Sequence, residues 1–172
     1  AKGPLSIGTR YGLGATGNSS YGYFGGGSTF PATAYWSTVD RLDYSNDTAT
    51  AVAKGPLSYS IKHLAATGDA SFGYFAGGYT NSSYQISRID RVDYSNDTAA
   101  ATPKGPLSSG RGVLAGASSR ANALPTLGPK TVDKGADGYT TSSSGPAMGY
   151  VLGGAFPYSF SIVDRMDYSN DT

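Results

Sequence analysis

An aspartate followed directly by an arginine recurs in this chain. The pairs are Asp40-Arg41, Asp90-Arg91 and Asp164-Arg165. A carboxylate beside a guanidinium can bind a charged ligand, because ionised groups form strong hydrogen bonds. One pair in every repeating segment is also what structural ion pairs between neighbouring units would produce. We expect the structural role, with each aspartate paired to an arginine of the same or the adjacent unit.

The segment DYSNDT, which follows each pair, is rich in oxygen ligands. In its first copy these are Asp43, Ser45, Asn46 and Asp47. Calcium takes about six to eight oxygens, whereas short Asp and Asn side chains more often close turns on their own backbone. We expect the turn, with a calcium-like site as the alternative. The sequence predicts neither a metal nor another cofactor.

Aromatic residues after a recurring glycine pair give the best binding signal. They are Phe30, Tyr35 and Trp36 in the first copy, Tyr79 and Tyr84 in the second, and Phe156, Tyr158 and Phe160 in the third. Amphipathic rings gathered on one face can stack on a sugar or on a partner protein. The same rings could instead cover the edges of the sheets. The sequence leaves both roles open.

Groups suited to catalysis are scarce. His63 is the single histidine and there is no cysteine, so neither a zinc site built on histidines nor a cysteine nucleophile is available. The glycine-rich segment GYFGGG precedes a loop and a strand instead of a helix N-terminus, which argues against a phosphate site. The sequence therefore predicts a protein that is not an enzyme, with His63 as a packed or edge residue on a strand.

Asn-x-Ser/Thr sequons mark surface loops that would carry sugar if the source glycosylates its proteins. They begin at Asn18, Asn46, Asn81, Asn96 and Asn170. In a chain rich in Ser and Thr, with a repeated NDT turn, such matches also arise without any role in glycosylation.

The composition predicts that short strands and tight turns position these residues. The chain has 172 residues, with 25 glycines, 14 tyrosines and 15% charged residues, which favours one all-β domain. Its net charge of +1 forms no basic stripe, so nucleic acid is not an expected partner. No apolar stretch approaches the about 18 residues of a membrane span. Membrane insertion is therefore not expected.

Self-comparison divides the chain into repeats. KGPLS begins at Lys2, Lys54 and Lys104, DRxDYSNDT at Asp40, Asp90 and Asp164, and a segment with the glycine pair at Gly22, Gly73 and Gly149. The blocks predict repeats at residues 1–52, 53–102 and 103–172. The third repeat has an insertion at about 118–146 that lacks the glycine pair and the DRxDYSNDT block. We expect it to leave the sheet as an excursion.

The order of these blocks resembles the kelch repeat. GYFGGG corresponds to the hydrophobic run with paired glycines, STVDRLDYSNDT to a strand ending in a Tyr-Asp type of pair, and AKGPLS to the entry into the next repeat. The resemblance covers the whole chain except the insertion. The chain differs from the kelch pattern at residues 49–51 and 99–101, where it has Ala or Thr in place of the usual Trp. More loosely, the chain resembles kelch-like repeat proteins of marine phage and microbial genomes.

The resemblance implies an all-β fold of kelch-like β-propeller blades, each a four-stranded antiparallel meander. It also implies a structural or recognition role in an extracellular or virion-surface assembly such as a fibre. A lectin-like, glycan-binding propeller is the alternative. A copper oxidase on a propeller would need at least two histidines, which this chain lacks.

The points within the repeat at which the given sequence opens and closes predict an incomplete third blade. In the first repeat we expect four strands, near residues 11–16, 22–26, 37–44 and 48–53. In the third repeat the sequence reaches only the turn that precedes the fourth strand. Closed propellers have about four to eight blades, and an open strand edge is a template for pairing. We therefore expect other copies of the chain, or the rest of a longer chain, to pair with residues 162–168.

Overall fold

The computed structural model of the chain describes residues 1–31, 34–82, 84–118, 148–154 and 162–168. Their regular structure consists of β-strands and two short 3₁₀ turns, Tyr44–Asn46 and Tyr94–Asn96, so the predicted all-β fold is confirmed. Within these residues, no helix has the length and apolar character needed to cross a membrane. Apart from Ser118, the predicted insertion lies outside the described residues.

The first repeat forms a four-stranded antiparallel meander, which we call blade 1. The strands of blade 1 and its ribbon are β1 (Arg10–Tyr11), β2 (Gly14–Gly17), β3 (Tyr21–Gly25), β4 (Ser28–Thr29), β5 (Val39–Asp43) and β6 (Val52–Lys54). The last of them extends two residues past the predicted end of the first repeat. The sheet order is β2-β3-β5-β6, and β1 pairs with β4 in a separate two-stranded ribbon. The fourth strand begins later than predicted, because the 3₁₀ turn and the turn after it occupy the first part of the predicted range.

The second repeat has the same arrangement and forms blade 2. Its strands are β7 (Ile61–Lys62), β8 (Ala65–Gly68), β9 (Phe72–Ala76), β10 (Tyr79–Thr80), β11 (Ile89–Asp93) and β12 (Thr102–Lys104). Among the described residues, blade 3 consists of β13 (Ala115–Ser118), β14 (Met148–Leu152) and β15 (Val163–Asp167). In the described part of blade 3, β15 is an edge strand, whereas β5 and β11 are paired on both sides.

The hydrophobic core lies between the blades, with one cluster at each junction. The cluster between blades 1 and 2 contains Tyr23, Val39, Leu57, Ile61, Leu64, Phe75, Val92 and Ala101. The cluster between blades 2 and 3 contains Ala65, Tyr74, Ala76, Ile89, Leu107, Val151, Met166 and Tyr168. Strands covered by neighbouring sheets need no strict alternation of apolar and polar residues.

The glycine pair turns the chain and joins each blade to the next. Gly26 and Gly27 have φ angles of 72° and 95°, which glycine adopts without steric cost. The Gly27 N–H donates to the carbonyl of Ile61 in blade 2 at 2.8 Å, and the Gly78 N–H donates to the carbonyl of Arg111 beside blade 3 at 2.7 Å. The glycines are therefore junction residues as well as turn residues.

A second series of backbone hydrogen bonds also crosses the junctions. The His63 N–H donates to the Gly12 carbonyl at 2.6 Å, and the Val113 N–H donates to the His63 carbonyl at 2.8 Å. His63 and Val113 have φ angles of 55° and 57°. This left-handed conformation is uncommon outside glycine, and is most unusual for Val113, whose side chain is β-branched. His63 directly follows β7 instead of lying on a strand, and its backbone links three consecutive repeats.

Candidate interaction surfaces

Asp97 is the centre of the polar contacts between blades 1 and 2. It follows the second 3₁₀ turn and is 7% exposed. Its Oδ2 accepts hydrogen bonds from the Tyr23 hydroxyl at 2.9 Å and from Arg41 Nη1 at 2.8 Å. Its Oδ1 lies 3.1 Å from Lys54 Nζ. All three donors belong to blade 1, so this carboxylate joins the two blades.

Burial by itself would raise the pKa of the Asp97 carboxyl. Hydrogen bonds from Lys54 and Tyr23 and the positive charge of Arg41 outweigh that effect and hold the pKa below its ordinary value. The side chain is therefore ionised at neutral pH. A buried carboxylate that has several donors is stable only while those donors stay in place.

Stacked tyrosines accompany this contact. The rings of Tyr23 and Tyr94 are nearly parallel, with centroids 4.5 Å apart, and the Tyr94 hydroxyl lies 3.1 Å from Thr16 Oγ1 of blade 1. At the next junction Tyr74 and Tyr168 stack with centroids 4.9 Å apart, and the Tyr168 hydroxyl again meets a threonine of the preceding blade. Both junctions thus use the same pair of repeat positions.

Each aspartate pairs with an arginine of its own repeat, as expected, although that arginine is not the residue next to it in sequence. Asp40 is fully buried and is bound by Arg10 and by the hydroxyl of Ser6, and not by its neighbour Arg41. Arg10 Nη1 also donates to the Gly26 carbonyl at 2.9 Å. The ion pair of Asp40 therefore lies within one repeat. The predicted link between blades is made by the second residue of the pair, through its contact with the next blade.

Blade 3 repeats this buried ion pair. Arg111 binds Asp164, and its Nη1 donates to the carbonyls of Gly153 and Ile162 at 3.2 Å each. The guanidinium therefore binds the backbone just after β14 and just before β15, and it neutralises the charge of Asp164. Arg165, the neighbour of Asp164 in sequence, is exposed.

Blade 2 supplies the cation from Arg88, which immediately precedes β11, the strand of Asp90. Ile61 occupies the position of Arg10 in the ribbon register. Asp90 is nonetheless buried, and accepts hydrogen bonds from the backbone N–H and hydroxyl of Ser58 at 2.8 Å, with Arg88 Nε 3.6 Å away. The guanidinium of Arg91 lies over the ring of Phe72 at 4.3 Å.

Sequence reasoning missed the arginines that bind Asp40 and Asp164. A signal was present, since Arg10 and Arg111 follow the KGPLS lysines by eight and seven residues. Comparison of the three repeats conceals this arginine position, because the second repeat has Ile61 there.

The predicted aromatic residues differ in how far they are exposed. Phe30 and Tyr84 stand at loop tips and are 85% and 73% exposed. Trp36 is half-buried, with its backbone N–H bonded to the Gly27 carbonyl at 2.9 Å. Phe156, Tyr158 and Phe160 lie outside the described residues.

The remaining two tyrosines belong to what we call the aromatic cluster. Its members are Tyr11, Tyr35, Lys62, His63 and Tyr79. Lys62 Nζ lies 4.7 Å from the ring centroid of Tyr35 and 5.4 Å from that of Tyr11. The ring of His63 lies 5.9 Å from that of Tyr11 and 6.2 Å from that of Tyr79. The cluster joins the two-stranded ribbons of the first and second repeats.

The aromatic cluster carries one positive charge at neutral pH. A hydrogen bond with Tyr35 raises the pKa of Lys62. Burial, together with the nearby charge of Lys62, lowers the pKa of His63, so its imidazole is neutral. The cluster is therefore an aromatic surface with a single fixed cation.

The first two DYSNDT segments form the expected turns, and the third lies outside the described residues beyond Tyr168. Asp43 Oδ1 accepts hydrogen bonds from the N–H of Ser45 at 2.9 Å and from its hydroxyl at 2.6 Å, which lowers the pKa of Asp43. Asp93 and Ser95 make the same contacts. Among the described residues, no three Asp or His side chains gather into a potential metal site.

The predicted sequons lie mainly on exposed turns. Asn46, Asn81 and Asn96 are exposed. Asn18 is partly buried, and its side-chain oxygen accepts hydrogen bonds from two following backbone N–H groups at 2.9 Å each. Asn170 lies outside the described residues.

No protein-family model matches the chain, and no curated protein matches it in sequence. The kelch-like resemblance therefore stays a prediction that depends on the sequence blocks alone.

Proposed function

We propose that the chain is a non-enzymatic structural or recognition module of an extracellular or virion-surface assembly, built from kelch-like blades. The observation that carries the proposal is the repeated use of the same residues at both blade junctions. Tyr23 and Tyr74 stack on the next blade in the same way, and the glycine pairs bond to it in the same way. Buried polar groups such as the Asp97 carboxylate and the Tyr23 hydroxyl thus hold one blade to the next.

Such an arrangement suits a scaffold. When each repeat contacts only its neighbours, stability is close to a sum of repeat and junction contributions, and units can be added in series. A fibre or another surface appendage needs this property. The charged groups at the Asp97 contact are engaged with each other and leave no carboxylate there for proton transfer to a substrate.

Antibodies raised against this chain test the proposal on intact particles or cells of its source. We expect many labelled sites on each intact surface, because a structural module is present in multiple copies. Antibody pre-absorbed with the purified chain serves as the control. Chain found only inside the particle or cell, or only as free single molecules, would contradict the proposal.

The aromatic cluster favours a second function, glycan binding. Tyrosine rings present an apolar face to a sugar ring and a hydroxyl to its polar groups. Lys62 adds a cation that can hydrogen-bond sugar oxygens, and it is held between two of the rings. This function requires that Tyr35 contribute directly to sugar affinity.

A glycan array with the purified chain distinguishes these functions. The lectin-like function predicts that Tyr35→Ala reduces sugar binding at least tenfold. Tyr59→Ala, a change at an exposed tyrosine outside both the cluster and the predicted binding residues, should leave it unchanged. The structural function predicts that neither variant nor the unmodified chain binds a sugar. Sugar binding that survives Tyr35→Ala would exclude the aromatic cluster as the site.

A further inference from the structure

Blade 1 has a face that no other blade covers among the described residues, and this face carries the residues of a blade junction. Tyr44 and Asp47 occupy the repeat positions of Tyr94 and Asp97. Tyr44 is 48% exposed. The Asp47 side chain is 34% exposed, and its ion pair among the described residues is with Lys2, at 2.9 Å. We call this surface the front face.

Blade 3 presents the opposite half of the same junction. Tyr150 lies opposite Arg165 in the sheet, in the register that places Tyr23 opposite Arg41. Tyr23 is fully buried by the next blade, whereas Tyr150 is half-buried and Arg165 is exposed. We call this surface the rear face.

The backbones of the two faces are complementary as well. At the internal junctions, one backbone hydrogen bond runs from His63 to Gly12 and another from Gly27 to Ile61. Groups at the same repeat positions lie on the outer faces. They are the Gly12 N–H and Arg10 carbonyl on the front face, and the Val113 carbonyl and Gly154 N–H on the rear face.

We infer that the front face of one chain binds the rear face of a second copy of this chain, head to tail. Asp47 then accepts hydrogen bonds from the Tyr150 hydroxyl and from Arg165 of the other copy, and keeps Lys2 of its own. Tyr44 stacks on the same tyrosine. Asp97 has this set of donors within the chain, from a tyrosine, an arginine and a lysine at the same repeat positions.

The same contact covers the open edge of β15. Lys54 pairs with Val39 in blade 1, and Lys2 occupies the repeat position of Lys54. The register places Lys2 of one copy opposite Val163 of the other. Val163 is exposed on an unpaired edge in the described structure, a situation that proteins usually avoid by pairing or covering the strand.

The observations favour a second copy as the partner, because one chain carries both the front face and the rear face. The stacked tyrosine contact expected between copies already occurs at both junctions within the chain. Contacts between two different faces are heterologous, and they generate a ring or a filament depending on the rotation between copies. The inference rests on the proposed structural function, and gives that assembly a defined contact.

Sedimentation equilibrium over a range of concentrations tests the inference. We expect the unmodified chain to self-associate, and Asp47→Lys or Arg165→Asp to weaken association at least tenfold, because each variant places like charges together. An equimolar mixture of the two variants should regain the association of the unmodified chain. In the mixture, the altered front face meets the altered rear face with opposite charges, and the unaltered faces meet each other.

Circular dichroism and thermal unfolding of dilute samples establish that the variants are folded, and Tyr84→Ala provides a surface change outside both faces. Persistent monomers of the unmodified chain, or a mixture no more associated than the single variants, would overturn the inference. If antibodies still label many copies on the source particle in that case, the structural function stands, and the copies join through another surface.

Discussion

Replacing Arg10 with isoleucine is expected to lower the free energy of unfolding by about 3–5 kcal/mol, because the substitution leaves a buried carboxylate without its cation. Asp40, the residue that loses its partner, is fully buried in blade 1. Isoleucine itself is compatible with this site, since blade 2 has Ile61 there and places Arg88 beside Asp90 instead. Denaturant unfolding followed by fluorescence of the single Trp measures the loss.

Transfer of the blade 2 arrangement provides the matched control. Thr38 of blade 1 occupies the position of Arg88, since the carbonyls of both residues accept a hydrogen bond from the first glycine of the pair. Adding Thr38→Arg to Arg10→Ile should therefore recover more than half of the lost stability. Lys2→Ile, which removes an exposed cation, should cost less than about 1 kcal/mol. Equal losses for Arg10→Ile and Lys2→Ile would show that the buried ion pair does not stabilise blade 1.

The strand order could be predicted because each recurring block corresponds to one strand. The glycine-pair block forms β3, β9 and β14, and the DRxDYSNDT block forms β5, β11 and β15. Three copies in the same order leave little choice of topology, since antiparallel strands that are consecutive in sequence tend to be neighbours. The bounds of the fourth strand were less predictable, because turn residues such as Thr48 and Ala49 resemble strand residues in composition.

The partners of the aspartates could not be predicted from adjacency. Successive side chains on a strand point to opposite faces. Asp40 and Arg41 therefore serve different surfaces, one inside its own repeat and the other at the junction with blade 2. Identification of Arg10 as the partner required the position of the ribbon, whose two-residue strands leave no periodic pattern in the sequence.

The aromatic cluster was predicted only in part, for the same reason. Tyr35 and Tyr79 were recognised as surface aromatics, but nothing in their spacing placed them near Lys62. The contact exists because ribbons from two repeats meet at one junction. Long-range packing of this kind is visible only in the folded chain.

The second large effect is expected at Asp97. Asp97→Asn keeps the shape of the side chain but removes the charge that holds Arg41 and Lys54, two cations that are themselves partly buried. We expect a loss of about 3 kcal/mol in the free energy of unfolding, since hydrogen bonds to charged groups and buried ion pairs are costly to break. Asp47→Asn is the matched control at the same repeat position. It disrupts an exposed pair with Lys2, so its cost should stay below about 1 kcal/mol.

The pH dependence of stability follows from the same residue. Because the pKa of Asp97 in the folded chain lies below its ordinary value of 3.8, the unfolded chain binds a proton there more readily. The stabilisation is therefore fully present above that ordinary value, and is lost as the pH falls through the lowered pKa of the folded chain. Asp97→Asn lacks this contribution and should lose less stability on acidification than the unmodified chain.

The most direct test of the blade junction is the free energy of unfolding of Asp97→Asn and Asp47→Asn at neutral pH, in solutions dilute enough for the chain to be monomeric. If the polar network joins the blades as the structure shows, Asp97→Asn loses several times more stability than Asp47→Asn. The difference then narrows as the pH falls below 3.8. Equal losses in the two variants, or a difference that does not change with pH, would contradict a junction held by Asp97.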